Sequence, residues 1–587
     1  MKYKPFASAF VVVVFGFLIL PLLAGQNPKS PKGQNLGGDT LRMEVTAFRF
    51  REDLHAGLND DSGWTAPENS AAEFNYDTPF RLRVQVRGGE SSLPGVFLGL
   101  QYQRENGPWT PVGTSDFPYP KFATPVVSVV TTTAYEHGEE TERLLGGALV
   151  DWDEGAGLNG IATTPVWNAT DEAVEWEWPL VIRRFADGPN FMEDGEIFEI
   201  RVVDGKGSPL AARVNPRLSM SAAPGHLGGT FIETPGRIGP YQAESGNLYF
   251  FMEPTETDNR FMAVVSSDFG QSWKEADPGG RPMADDLEGV ATARIDNTIH
   301  IIHQVSREVF HHAFEMDGSG AARWLIDSQS IATHEVPPTQ FAALTARSDG
   351  SLVALYAGPK KLFLQTRSPG GDWSEPAAID QDVLPDLSGP VLAAGPNDVV
   401  TVAYTGRDGR GFIRHLDPDG SLSPRKVLSN RLGREDRENG AILPMVVLPE
   451  SGTTVVLFRE EDGILHERRF SSGGELSEPI RVTSLPVVAN AVDSEQVGAD
   501  LILHGSTAYL LFIEETSRSI FHSYSKQPGA WSKPELLIDG IDGSWLRGSL
   551  HRDKKGRPVY GFVYDAGSKG GSGLNRYFAL SLDRRFR

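Results

Sequence analysis

A chain of 587 residues carrying 63 glycines and 40 prolines is too rich in helix breakers for a helical protein and fits an all-β fold of short strands and tight turns. Its 55 Lys and Arg against 77 Asp and Glu leave a net charge of −22, which argues against nucleic acid as a partner, because phosphate backbones are held by basic surface. The absence of cysteine excludes disulfides, thiol nucleophiles and Cys-ligated metal, so stability must come from packing and ladder hydrogen bonds.

Lys2 and Lys4 precede an apolar run over 6–23, broken by Pro21 and followed by Ala24-Gly25. Residues 1–25 read as a signal peptide, which makes the chain exported: secreted, periplasmic or surface-associated. The alternative is a retained membrane tether through residues 6–23, a run near the lower limit for spanning a bilayer. Residues 26–39, rich in Gly, Pro, Asn and Lys, read as a linker.

From 40 to 222 the pattern alternates with period two. Phe80, Leu82, Val84 and Val86 interleave with Arg81, Arg83, Gln85 and Arg87, as in an antiparallel strand buried on one face. Val96, Leu98, Leu100 and Tyr102 lead into Asn106-Gly107, a hairpin dipeptide. With further strands expected at 41–50, 126–133, 174–182 and 197–203, the region reads as a β-sandwich. Trp176, Trp178 and Phe185 are assigned to packing, a sugar-stacking face being the other use of such aromatics.

Beyond Gly225 a repeat appears. Met252, His303, Tyr356, Tyr404, Phe458, Phe512 and Tyr564 close equivalent strands 48 to 54 residues apart. About twenty residues after each of the first six comes Trp273, Trp324, Trp373, Leu422, Leu476 or Trp531, often within W/L-S-x-P. Two series in one register, each period holding about four short strands, predict propeller blades over 226–587. Seven copies predict seven blades, with six as the alternative. The last copy ends after its third strand, so its outer strand is expected from 228–234, closing the ring without an exposed edge.

Ser266-Ser267-Asp268-Phe269-Gly270-Gln271-Ser272-Trp273 matches S-x-D-x-G-x-x-W and resembles the Asp-box (BNR repeat) of sialidase-like β-propellers. The box is a fold marker: Asp and Gly shape a hairpin and the Trp packs beneath it. Residues 366–373 hold a degraded copy with Ser368 at the Asp position. The resemblance implies an arginine cluster for a substrate carboxylate, an Asp acid and a Tyr nucleophile assisted by Glu. Gly236-Arg237-Ile238-Gly239-Pro240 resembles the family's R-I-P segment with a Gly inserted, which makes Arg237 the candidate clamp, with Arg459 as a second. Asp258 falls near the family's acid, although a polar turn residue between two strands is the commoner explanation. Tyr560 and Tyr564 are the candidate nucleophiles. Where the family pattern V-V-E-L-P-D-G carries its Glu, this chain has Val447. Glu253, the pair Glu460 and Glu461, or the pair Glu514 and Glu515 would have to substitute.

His300, His303, His311 and His312 suggest a metal cluster, but strand residues three apart face opposite sides, so a structural role is expected. Asp417-Pro418-Asp419-Gly420 reads as a tight turn rather than a calcium loop. No P-loop, H-E-x-x-H or G-x-S-x-G motif is present, and neither metal nor cofactor is implied. The leading function is recognition of glycan or another extracellular ligand at the central face of a sialidase-like propeller that lacks its catalytic base. The alternatives are an exo-glycosidase of the sialidase type with a rearranged base, and a protein-binding scaffold.

Overall fold

The computed structural model describes residues 43–582 apart from 54–55, 90–92, 115–125, 149, 170, 185–191, 228–233, 235, 253–259, 278–280, 283–288, 306, 317–321, 335–341, 359–360, 384–389, 433–440, 489–497, 528, 542 and 567–574. The expected signal peptide or tether, the linker, Phe185, Glu253 and Asp258 lie outside the described residues. The protein is all-β: among the described residues the single helical element is a 3-10 turn, Pro396–Asp398.

Two sheets face each other in the first part of the chain. One has the strand order Ala211–Ala212, Glu44–Glu52, Phe80–Arg87, Glu172–Ile182, Val127–Val129 and Gly113–Thr114; the other runs Ala72–Asn75, Arg217–Ser221, Glu196–Asp204, Leu98–Arg104 and Thr110–Pro111. Phe50, Leu82, Val84, Trp176, Trp178, Leu100 and Phe198 fill one core between them. Trp176 and Trp178 therefore pack inward and form no exposed platform.

The expectation that Phe80–Arg87 is buried on one face only is corrected. Arg81, Arg83 and Gln85 are as inaccessible as the apolar residues between them. Glu177 pairs with Arg51 at 2.5 Å and with Arg81 at 3.0 Å, and Glu175 pairs with Arg83 at 2.6 Å. Further donors reach backbone carbonyls of Ala56, Leu58, Asp60 and Glu142, and Arg81 Nε faces Asp53 at 3.2 Å. Alternation reports which face is apolar; it does not report that loops cover the charged one once every ion there has a partner.

Seven antiparallel sheets follow, each built from consecutive strands. They begin with inner strands Tyr241–Gln242, Val290–Ile295, Ala342–Ala346, Val391–Ala394, Ala441–Ile442, Ala499–His504 and Gly543–Arg552. The strand-closing series from Met252 to Tyr564 occupies the second strand of every sheet. The W/L-S-x-P series has a common cause in four sheets: the Ser374, Ser423, Ser477 and Ser532 hydroxyls accept the backbone N–H of Thr366, His415, Arg469 and Tyr524 at 2.8 to 3.1 Å.

The ring closes between the first and seventh sheets. Gln242 and Arg552 exchange two hydrogen bonds of 2.8 Å, and Trp545 Nε1 donates to Thr234 O at 2.9 Å. The seventh sheet has three strands of its own, and the edge strand Asn575–Ser581 is met by residues 225–227: Leu227 N donates to Asn575 O and Tyr577 N to Gly225 O, each at 2.8 Å. The pairing thus involves residues just ahead of the expected 228–234, of which only Thr234 is described.

The hairpin at 266–273 sits at this seam. Asp268 accepts from the backbone of Gln271 and Ser272 and from two serine hydroxyls, with Phe269 and Gly270 at positive φ. Gly270 has a second reason to lack a side chain, because a Cβ would stand 2.0 Å from the Tyr577 ring. Trp273, 2% exposed, packs edge-on against Tyr577 with centroids 5.8 Å apart. Trp273→Ala is expected to cost about 3 to 5 kcal/mol, the usual penalty for emptying a large aromatic site; an unchanged denaturation midpoint would refute the packing role.

Candidate functional site

The seven inner strands enclose one continuous cavity of about 440 Å³. Its wall is formed largely by small residues, among them Ala291, Ala293, Ala342, Ala343, Ala393 and Ala441, which leave the centre open. Among the described residues it is lined by four arginines, Arg237, Arg294, Arg459 and Arg547, and by no carboxylate. In a chain of net charge −22 the described lining side chains that carry charge are all basic. Low-dielectric walls of one charge concentrate the field inside a cleft.

Arg237, just ahead of the first inner strand, reaches the sixth sheet. Its Nη2 donates to Asp500 Oδ1 at 2.7 Å and to Leu501 O at 3.3 Å. Asp500, fully buried, also accepts Tyr560 OH at 2.9 Å and Gly548 N at 2.8 Å on its other oxygen. Gly548 is required here, since a Cβ would stand 2.7 Å from Tyr560 Cε2 and 2.6 Å from Gly561 O. The Arg237 side chain remains 28% exposed toward the cavity. Burial works against its charge, but Asp500, Tyr560 and Tyr241 outweigh that and hold the guanidinium above its ordinary range.

Arg547 lies in the same field. Burial pushes it down to about 10; Asp500 pulls it up, and Arg237 adds to the lowering. Its Nη1 donates to Ala499 O and Leu546 O. One carboxylate, Asp500, thus acts on two guanidiniums.

The other sequence candidates separate. Arg459 lines the cavity, but only 3% of it is exposed, and its head donates to Val487 O at 2.7 Å and Glu460 O at 3.4 Å. Tyr560 is fully buried, and burial followed by the Asp500 charge drives its phenol well above the ordinary range. Tyr564 packs in the core between the sixth and seventh sheets, its hydroxyl also raised by burial. Val447 lines the cavity, whereas Glu460, Glu461, Glu514 and Glu515 do not. Glu460 and Glu461 face Arg431, and Glu514 caps Thr516 N and Ser517 N. Asp500 was missed in the sequence: within A-D-L-I-L-H it looks like one polar residue on a strand.

The histidines form two pairs on opposite faces of the second sheet. His300 Nδ1 and His311 Nε2 are 3.0 Å apart with stacked rings, and His311 continues to Gln329; His303 and His312 pack around Phe261. No group of three or more metal-ligating side chains occurs among the described residues. Residues 417–421 form the expected turn, Gly420 N donating to Asp417 O at 3.0 Å.

No family model matches the chain, and no curated protein is similar to it. Among solved structures it is similar to the BP39L lectin from Burkholderia pseudomallei, at 11% identity and a TM-score of 0.41, over 61% of this chain and 99% of that one. It is also similar to AofleA from Arthrobotrys oligospora (13%, TM-score 0.37, 53% and 89%). A third is the SapL1 lectin in complex with alpha methyl fucoside (15%, TM-score 0.32, 50% and 96%).

The buried histidines give an acid limb to stability. Burial lowers His300 and His312 to about 3 and His311 to about 4, from an ordinary 6.5. The unfolded chain takes up these protons first, so their contribution is fully present above 6.5 and is lost as pH falls toward 4. The expected slope is up to about 1.4 kcal/mol per pH unit per histidine. Urea midpoints at pH 7, 6 and 5 test this, and a flat series would sink it.

Proposed function

We propose that this chain is an exported binding protein whose propeller takes an anionic group of a glycan or other extracellular ligand into its central channel. The observation that carries the reading is the charge of the wall: four arginines and no carboxylate among the described lining residues, with Arg237 partly exposed. A ligand carboxylate or sulfate would meet the partly exposed Arg237 through guanidinium hydrogen bonds, which are stronger than neutral ones.

A sialidase-type hydrolase is the second reading, and one contact favours it: Tyr560 donates to a carboxylate beside an arginine. The family resemblance pairs tyrosine and carboxylate in this way, with Asp500 standing in for the Glu absent at Val447. Against it, neither side chain has exposed surface, and a nucleophile must reach an anomeric carbon.

Turnover of a fluorogenic sialoside and calorimetric binding of N-acetylneuraminate and glucuronate separate the two. Negligible turnover is expected. Arg237→Ala should weaken acidic-ligand binding by about 1.5 to 3 kcal/mol, the range for a hydrogen bond to a charged group, with its melting temperature recorded because the residue also ties two sheets together. Robust turnover abolished by Tyr560→Phe would favour the hydrolase, and unaltered binding by Arg237→Ala would remove that residue from the site.

A further inference from the structure

We infer that the channel ligand is amphipathic: an anion that turns its charge toward the seam and an apolar body toward the wall across from it. This rests on the reading of the channel as an anion site and concerns what the rest of the ligand is.

The order of the ring fixes which walls oppose each other. Each inner strand touches the next, from Val290–Ile295 through Ala342–Ala346, Val391–Ala394, Val446–Val447 and Ala499–His504 to Gly543–Arg552, which in turn touches Tyr241–Gln242. The hydroxyls of Tyr241 and Thr292 join the first sheet to the second. In a ring of seven sheets the fourth is equally far from the first and the seventh. It therefore lies across the channel from the seam, where Arg237 enters.

The lining side chains divide along that axis. On the first, second and seventh sheets and the turn ahead of the first, those with open surface are polar: Arg237, with 28% of its side chain exposed, Arg294 and Ser549. On the third, fourth and fifth sheets and their adjoining turns they are Ala346, Val391, Leu392, Ala394, Pro444 and Val447, with Thr345 the one polar member among the described residues. Arg459, on this side too, is only 3% exposed.

The two walls ask for different chemistry in one ligand. Apolar surface left open in a cavity favours whatever covers it, in proportion to the area removed from water. A ligand that is polar all round would set hydroxyls against valine and leucine, where they find no partner and lose their water. An anion with an apolar body meets both walls, and a mostly apolar lining with a few placed polar groups is the usual form of a small-molecule site. Such an anion is either an acidic sugar bearing an apolar substituent or a plain organic acid with a hydrocarbon body.

The test is calorimetry with methyl glucuronide, phenyl glucuronide, phenyl glucoside and 4-phenylbutyrate. Phenyl glucuronide is expected to bind about tenfold tighter than methyl glucuronide, with a more negative heat-capacity change because more apolar surface is buried. Phenyl glucoside, which lacks the charge, should bind at least about tenfold more weakly than phenyl glucuronide. Tighter binding of 4-phenylbutyrate than of phenyl glucuronide assigns the plain acid, and otherwise the sugar conjugate is assigned. Val447→Thr keeps the shape of the side chain and sets a hydroxyl in the apolar wall; it should weaken phenyl glucuronide about threefold more than methyl glucuronide. Equal affinity of the two glucuronides, or an equal effect of Val447→Thr on both, would overturn the apolar wall and leave the anion site standing. Failure of both glucuronides and 4-phenylbutyrate to bind, or phenyl glucoside binding as tightly as phenyl glucuronide, would remove the anion site as well.

Discussion

The ring is held shut around one buried carboxylate. Asp500 belongs to the sixth sheet and accepts from Arg237 ahead of the first and from Tyr560 and Gly548 of the seventh, so it sits where the two ends of the propeller meet. A carboxylate without exposed surface is costly to desolvate and persists only when its lone pairs are filled in good geometry. Three donors fill them, and one of these, Arg237, reaches Asp500 only when the ring is closed. If the seam opens, Asp500 loses Arg237 and keeps only the donors of the seventh sheet. Neighbouring sheets elsewhere meet chiefly through apolar packing, which tolerates small displacements better than an ion does.

The seam also explains where the sequence repeat is sharp and where it fades. The hairpin at 266–273 has to fit Tyr577 of the seventh sheet closely, and its Trp273 carbonyl accepts Arg184 Nη2 from the sandwich at 3.0 Å. There the glycine, the aspartate and the tryptophan each have a contact that no other residue makes. In four other sheets the turn needs little more than a serine hydroxyl on the backbone of the residue eight positions earlier, and the rest of the motif drifts.

The fold was legible because its determinants are local and repeated. Every sheet buries the end of its second strand in the same way, so the aromatics recur at a nearly constant period. The charged face of the sandwich was not legible. Arg81 and Arg83 alternate with apolar residues just as solvent-facing arginines do, and what covers them lies up to 96 positions away. The channel was legible only in part. Arg237 could be picked out from its short motif, but its partner Asp500 lies 263 residues distant. The net charge of −22 averages over the chain and does not say which side chains line the channel.

Closure and catalysis make opposite demands on the same atoms. For Tyr560 to attack a substrate its hydroxyl would have to face the cavity and give its proton to Asp500; for the ring to stay closed that hydroxyl must stay buried as a donor to the carboxylate. Deprotonating it there would set two anions against each other in a low-dielectric site, and the field of Asp500 already raises the phenol. Arg237 bears the other half of the conflict. Its bond to Asp500 fixes the guanidinium in place. The geometry that pins the seam therefore keeps Tyr560 and Asp500 without exposed surface and leaves part of the Arg237 side chain facing the channel.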